Sequence, residues 1–108
     1  MENRRVYRCH YRAQLVREDD PQLGALLARC ESLAQAMINA GELMTAALYR
    51  YGRQLFLYYE PLGTCVDPDR FMAPLAPLLS PWPQKEETAR WVQMHNIYWH
   101  SVPQGEED

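Results

Sequence analysis

Two of the chain's three histidines, His95 and His100, lie in the stretch RWVQMHNIYWHS, among two tryptophans and a tyrosine. The third, His10, stands between Arg8 and Arg12 near the start. Imidazole titrates at about pH 6.5, so His10 and His95 are the natural acid–base groups at neutral pH. One could take a proton from a hydroxyl while the other returns one. Aromatic rings pack on the apolar faces of pyranose sugars, so the tryptophans beside His95 suit a carbohydrate. The competing reading of His95 is a half-buried ring hydrogen-bonded inside an aromatic interface. Arg8, His10 and Arg12 alternate along one strand face. With Tyr58 and Glu60 opposite they would line a polar pocket, Glu60 accepting protons; a solvated strand face is the alternative. Trp82, between prolines in SPWP, is either a lid over such a pocket or a plug at the end of the core.

Metal chemistry finds no support. In an unbroken strand, His95 and His100 leave opposite faces, because side chains alternate along a strand. The chain carries no H-E-x-x-H and no C-x-x-C motif. No cofactor or metal is expected. Cys9, Cys30 and Cys65 are odd in number and widely spaced, which fits reduced thiols in a cytoplasmic setting. The first residues, MENRRVYRCHYR, are charged and lack the apolar run of a leader. The net charge of −3 is scattered, leaving no basic footprint for nucleic acid. No window approaches the roughly 18 apolar residues of a membrane span.

These residues must be positioned by a chain of 108 residues, a length that predicts one domain, residues 1–103, with an acidic, disordered tail over 104–108. Alternation predicts a first strand over residues 5–13, but leaves open which of its faces meets the core. Asp19 or Asp20 would cap a helix beginning at Pro21. Leu23, Leu26, Leu27, Cys30, Leu33, Ala34, Met37 and Ile38 recur at helical spacing, and Gly41 would end it in a left-handed cap. LMTAALYR and QLFLYYE then flank Tyr51–Gly52–Arg53, a hairpin signal. Asp67 and Pro68 would open a second helix that Pro74 and Pro77 keep short. An aromatic strand over Trp91–Trp99 would close the set.

The order β-α-β-β-α-β predicts an α+β, ferredoxin-like plait: a four-stranded antiparallel sheet with both helices on one face. Two of its strands are apolar on both sides. Leu55, Leu57 and Tyr59 oppose Phe56 and Tyr58, while Val92, Met94 and Tyr98 oppose Trp91, Ile97 and Trp99. The helix-free face therefore needs a cover, and a second copy supplies one by two-fold symmetry.

Element order, the long helix closing at NAG, the hairpin ALYRYGRQLFLYYE and the aromatic last strand resemble the L-rhamnose mutarotase family, from Arg5 to about His100. The resemblance implies a dimeric α/β barrel and cofactor-free interconversion of the anomers of a free aldose. That family places a tyrosine and a proton-donating histidine early in its first helix, where this chain has about Gln22 and Leu26. Its tyrosine on the following strand falls near Thr45 or Ala46, and of its tryptophan pair only Trp82 stands nearby. Leu26 cannot donate a proton. The resemblance thus implies either an acid–base pair relocated to His10 and His95, or a non-catalytic dimeric module that binds a small molecule or serves as a scaffold.

Overall fold

The alternation in QLFLYYEP sets the two faces of the sheet. In a computed structural model that describes residues 7–81, 90–98 and 100, this segment is strand β3, Gln54–Pro61. It buries Leu55, Leu57, Tyr59 and Pro61, and leaves Gln54, Phe56, Tyr58 and Glu60 half-buried on the other side. β3 pairs antiparallel with β1 (Cys9–Gln14) on one flank and β2 (Leu43–Tyr51) on the other. A short β4, Val92–Gln93, pairs antiparallel with the far edge of β1, giving the order β2-β3-β1-β4. Helix α1 (Leu23–Asn39) follows β1, and one turn of helix, α2 (Asp69–Met72), follows β3. This is the ferredoxin-like plait that the order of elements predicts.

Each connection follows from local chemistry. Asp20 prepares α1: its carboxylate Oδ1 accepts the Gln22 N–H at 2.8 Å and its carbonyl accepts the Leu23 N–H at 3.1 Å. The helix buries Leu23, Cys30 and Met37, one residue every two turns. Leu26, Leu27, Ala34 and Ile38 pack half-buried beside them, while Leu33 turns outward, 40% exposed. Gly41, at φ 80°, ends the helix. Its N–H donates to the Ile38 carbonyl at 3.0 Å and the Glu42 N–H to the Met37 carbonyl at 2.9 Å. That double bond is the Schellman cap a left-handed glycine permits.

Tyr51 pairs with Gln54 across a two-residue turn in which Gly52 has φ 62°. Positive φ at the first turn position alone matches a type II′ hairpin. The Asp67 carboxylate accepts the Asp69 N–H at 2.8 Å and opens α2. Pro74 and Pro77 then tighten the chain into a 3₁₀ segment over Ala73–Leu78. The core lies between sheet and helices, where Tyr59 meets Phe71 edge-on at 5.1 Å.

Two expectations are corrected. β1 begins at Cys9 and runs to Gln14, later than the predicted 5–13; residues 5 and 6 lie outside the described residues. The last strand is far shorter than Trp91–Trp99. Antiparallel pairing sets Arg12 against Val92 and Tyr11 against Gln93, and the Met94 N–H still donates to the His10 carbonyl at 2.7 Å. Among the described residues no further bond joins the two strands beyond that point. Ile97 and Tyr98 end up 90% and 74% exposed rather than on opposed faces of a strand. Trp82, Trp99 and the acidic tail 104–108 lie outside the described residues. Among the described residues, no helix is long and apolar enough to cross a membrane.

Candidate functional site

The faces of β1 resolve the ambiguity that alternation alone leaves. Cys9 and Ala13 are buried toward the helices, at 5% and 0% exposure. His10 and Arg12 therefore lie on the helix-free face, half-buried, with the exposed Arg8 in line before them.

The register of β1 on β3 places His10 opposite Tyr58. Their ring centroids are 4.9 Å apart, tilted by 48°. Two residues further on, Glu60 projects from the same face, and its carboxylate Oε2 accepts a hydrogen bond from the Tyr58 hydroxyl. Burial, reinforced by the Glu60 carboxylate and partly offset by Arg8, pushes the Tyr58 phenol up to about 12. At neutral pH Tyr58 is thus a proton donor aimed at Glu60. Arg12 faces Phe56 in the same register. Five of the seven sequence-derived site residues (Arg8, His10, Arg12, Tyr58 and Glu60) therefore lie on one face.

His95 joins them by a route the sequence does not reveal. Strand parity would turn it away from Met94, and so away from His10. Because the ladder stops at Met94, the chain instead curls, and His10, Met94, His95, Asn96, Ile97 and Tyr98 line one open cavity of about 410 Å³. His95 is exposed at its wall. His100 lies outside that lining and packs its ring against Tyr98 at 5.0 Å. Trp82 falls outside the described residues.

A second cavity, about 370 Å³, opens on the other side of the sheet between α1, β2 and α2. Its walls include Leu27, Ala34, Ala46, Leu48 and Phe71, with Glu31 as its one charged residue. Helical and strand periodicity mark these residues only as core, so the opening was not legible in the sequence. Leu26 and Ala46, where the family resemblance would put chemistry, are half-buried apolar residues here. His10, Tyr58 and Glu60 lie instead on the helix-free face. Among the described residues, no group of three or more His, Cys, Asp or Glu could hold a metal ion.

No protein-family model matches this chain, and no curated protein sequence matches it. Among solved structures, an L-rhamnose mutarotase from Formosa agariphila is similar, with a TM-score of 0.55 at 10% identity, covering 88% of this chain and 99% of that one. The likeness is one of fold.

Proposed function

We propose that this protein is mutarotase-like: it binds a free aldose of the L-rhamnose type and exchanges its anomers by cofactor-free acid–base chemistry. The observation that carries the reading is the shared cavity of His10 and His95, with the Tyr58–Glu60 pair against His10. In mutarotation a base removes the proton of the anomeric hydroxyl while an acid protonates the ring oxygen. The C–O bond of the ring opens to the aldehyde, and closure on its other face returns both protons. Two imidazoles across one open cavity can hold these roles and exchange them. In this reading Tyr58 and Glu60 steady His10, Arg8 and Arg12 hold sugar hydroxyls, and Trp82 is a further contact to the ring. No metal or cofactor takes part.

A second copy completes the reading. Tyr49 and Tyr51 are 62% and 79% exposed at the β2 edge, and Phe56 stands half-buried on the helix-free face. Covering this surface by a two-fold partner would wall the otherwise open cavity.

The second reading is a non-catalytic module, favoured by the apolar residues Leu26 and Ala46 and by the exposure of His95. Saturation-transfer NMR with free aldoses, L-rhamnose and L-fucose included, separates the two. Anomeric exchange above the buffer rate, lost in His10→Ala or His95→Ala, supports the enzyme. Binding without exchange supports the module, and neither binding nor exchange refutes both sugar readings.

A further inference from the structure

Leu27, Glu31 and Ala34 follow one another along α1 at spacings of four and three, so they share one side of the helix. All three line the cavity of about 370 Å³ that α1 shares with Ala46 and Leu48 of β2 and Phe71 of α2. Periodicity assigns the apolar members of this set to the core, yet Leu27, Ala34, Ala46 and Leu48 are only half-buried. We propose that this cavity is a second binding site, for a small molecule with an apolar body and an ammonium group. It shares no lining residue with the His10 cavity, and it does not depend on the sugar-directed reading of that cavity.

Volume and lining set the body of the ligand. Small-molecule sites run from roughly 300 to 1,000 Å³ with mostly apolar walls, and an apolar cavity of about 150 Å³ already takes benzene. The space under α1 therefore has room for one ring and a short arm. Phe71 and Met72, at 1% and 2% exposure, form its buried apolar end. Apart from Glu31 and the Cys30 thiol, the lining side chains are hydrocarbon or thioether. An aldose placed there would give up its hydrogen bonds to water without replacing them, so the occupant differs in class from a sugar.

Glu31 sets the head group. It is the one charged residue of the lining, and it is exposed, so its carboxylate stands where the cavity meets water. Among the described residues the one salt bridge joins Arg70 to Glu42, at 3.1 Å, and no cation is paired with Glu31. An ammonium group on the ligand's arm meets that carboxylate without displacing another ion pair. A carboxylate on the same arm is repelled by it.

The experiment titrates the full chain with phenethylamine, phenethyl alcohol and hydrocinnamate, one body with three head groups, and follows methyl resonances by NMR. Saturable shifts at Leu27, Ala46, Leu48 and Met72 are expected, with the amine binding tightest and the acid weakest. Glu31→Gln, at an exposed position, should weaken the amine about two- to fivefold, as for an exposed ion pair, and leave the alcohol unchanged. Ala46→Leu should fill the cavity and abolish binding of all three, and Ala34→Leu does the same from the helix wall. Equal affinity for amine and acid would overturn the proposal, as would amine binding unchanged in Glu31→Gln. So would shifts at Met94 in place of these methyls, or the same methyls moved by L-rhamnose.

Discussion

Tyr59→Phe removes a single oxygen from the most enclosed ring in the sheet, and its cost can be worked from its surroundings. Tyr59 is 0% exposed, and its hydroxyl donates to the carbonyl of Val66, a residue itself only 9% exposed. Phenylalanine keeps the edge-on contact with Phe71 and the stacking on Tyr11 at 6.0 Å, so no ring-sized cavity opens. What is lost is the donor, and an acceptor left unsatisfied in a buried place costs about 1–3 kcal/mol. Relief from burying a hydroxyl offsets part of that, leaving about 1–2 kcal/mol. For a domain near 100 residues this lowers the melting temperature by roughly 5–15 °C. Urea unfolding followed by tryptophan fluorescence should show a lower midpoint at unchanged slope. Tyr59→Ala sets the scale, since losing the ring as well costs about 3–5 kcal/mol. A Tyr59→Phe loss below about 0.5 kcal/mol would refute the reasoning, because the Val66 carbonyl would then have another donor.

Glu60→Gln removes the carboxylate that helps hold the Tyr58 phenol up at about 12, so the Tyr58 pKa should fall in an ultraviolet titration of the tyrosines. An unmoved titration would show that the carboxylate does not act on the phenol. In the wild type, the folded-state pKa lies above the unfolded value of about 10, so Tyr58's contribution to stability is constant below about pH 10 and falls from there toward pH 12. His10→Ala and His95→Ala should each slow anomeric exchange by about 10²–10⁴-fold with unfolding midpoints nearly unchanged; wild-type exchange in both would remove the imidazoles from the mechanism. Gly52→Ala meets no atom within 4 Å at its new β-carbon, so its cost is that of positive φ alone, about 1–2 kcal/mol by thermal melting. Tyr49→Glu should shift sedimentation toward the monomer, and a wild-type dimer that persists would move the interface elsewhere.

Where a periodic pattern had one physical solution, the sequence was sufficient. Leu23, Cys30 and Met37 could share a buried face only on a helix, and Gly41 could end it only in a left-handed cap. Gly52 marked the hairpin for the same reason. The orientation of β1 was not legible, because Tyr7, Cys9, Tyr11 and Ala13 compete with a set containing two arginines and a histidine, and either face could have been solvated. Packing decides it: Cys9 and Ala13 are buried beneath the helices at 5% and 0% exposure, which leaves His10 and Arg12 to the other face.

The length of β4 bears most directly on chemistry. Alternation over an unbroken strand would set His95 on the face opposite Met94, leaving His10 without a second imidazole. The last bond between the two strands is the one from the Met94 N–H to the His10 carbonyl, and His95 beyond it lines the same cavity as His10. The two faces of the sheet differ: a cavity with apolar walls and a single carboxylate lies under α1, and His10, Tyr58 and Glu60 stand on the helix-free face. The proposed dimer would cover that same bare face, so anomeric exchange and association should be coupled. Tyr49, at 62% exposure on β2, lies outside the lining of the His10 cavity. Loss of exchange in Tyr49→Glu together with loss of the dimer would mean that the second copy walls the cavity. Exchange retained in a Tyr49→Glu monomer would mean that one sheet is sufficient for the chemistry.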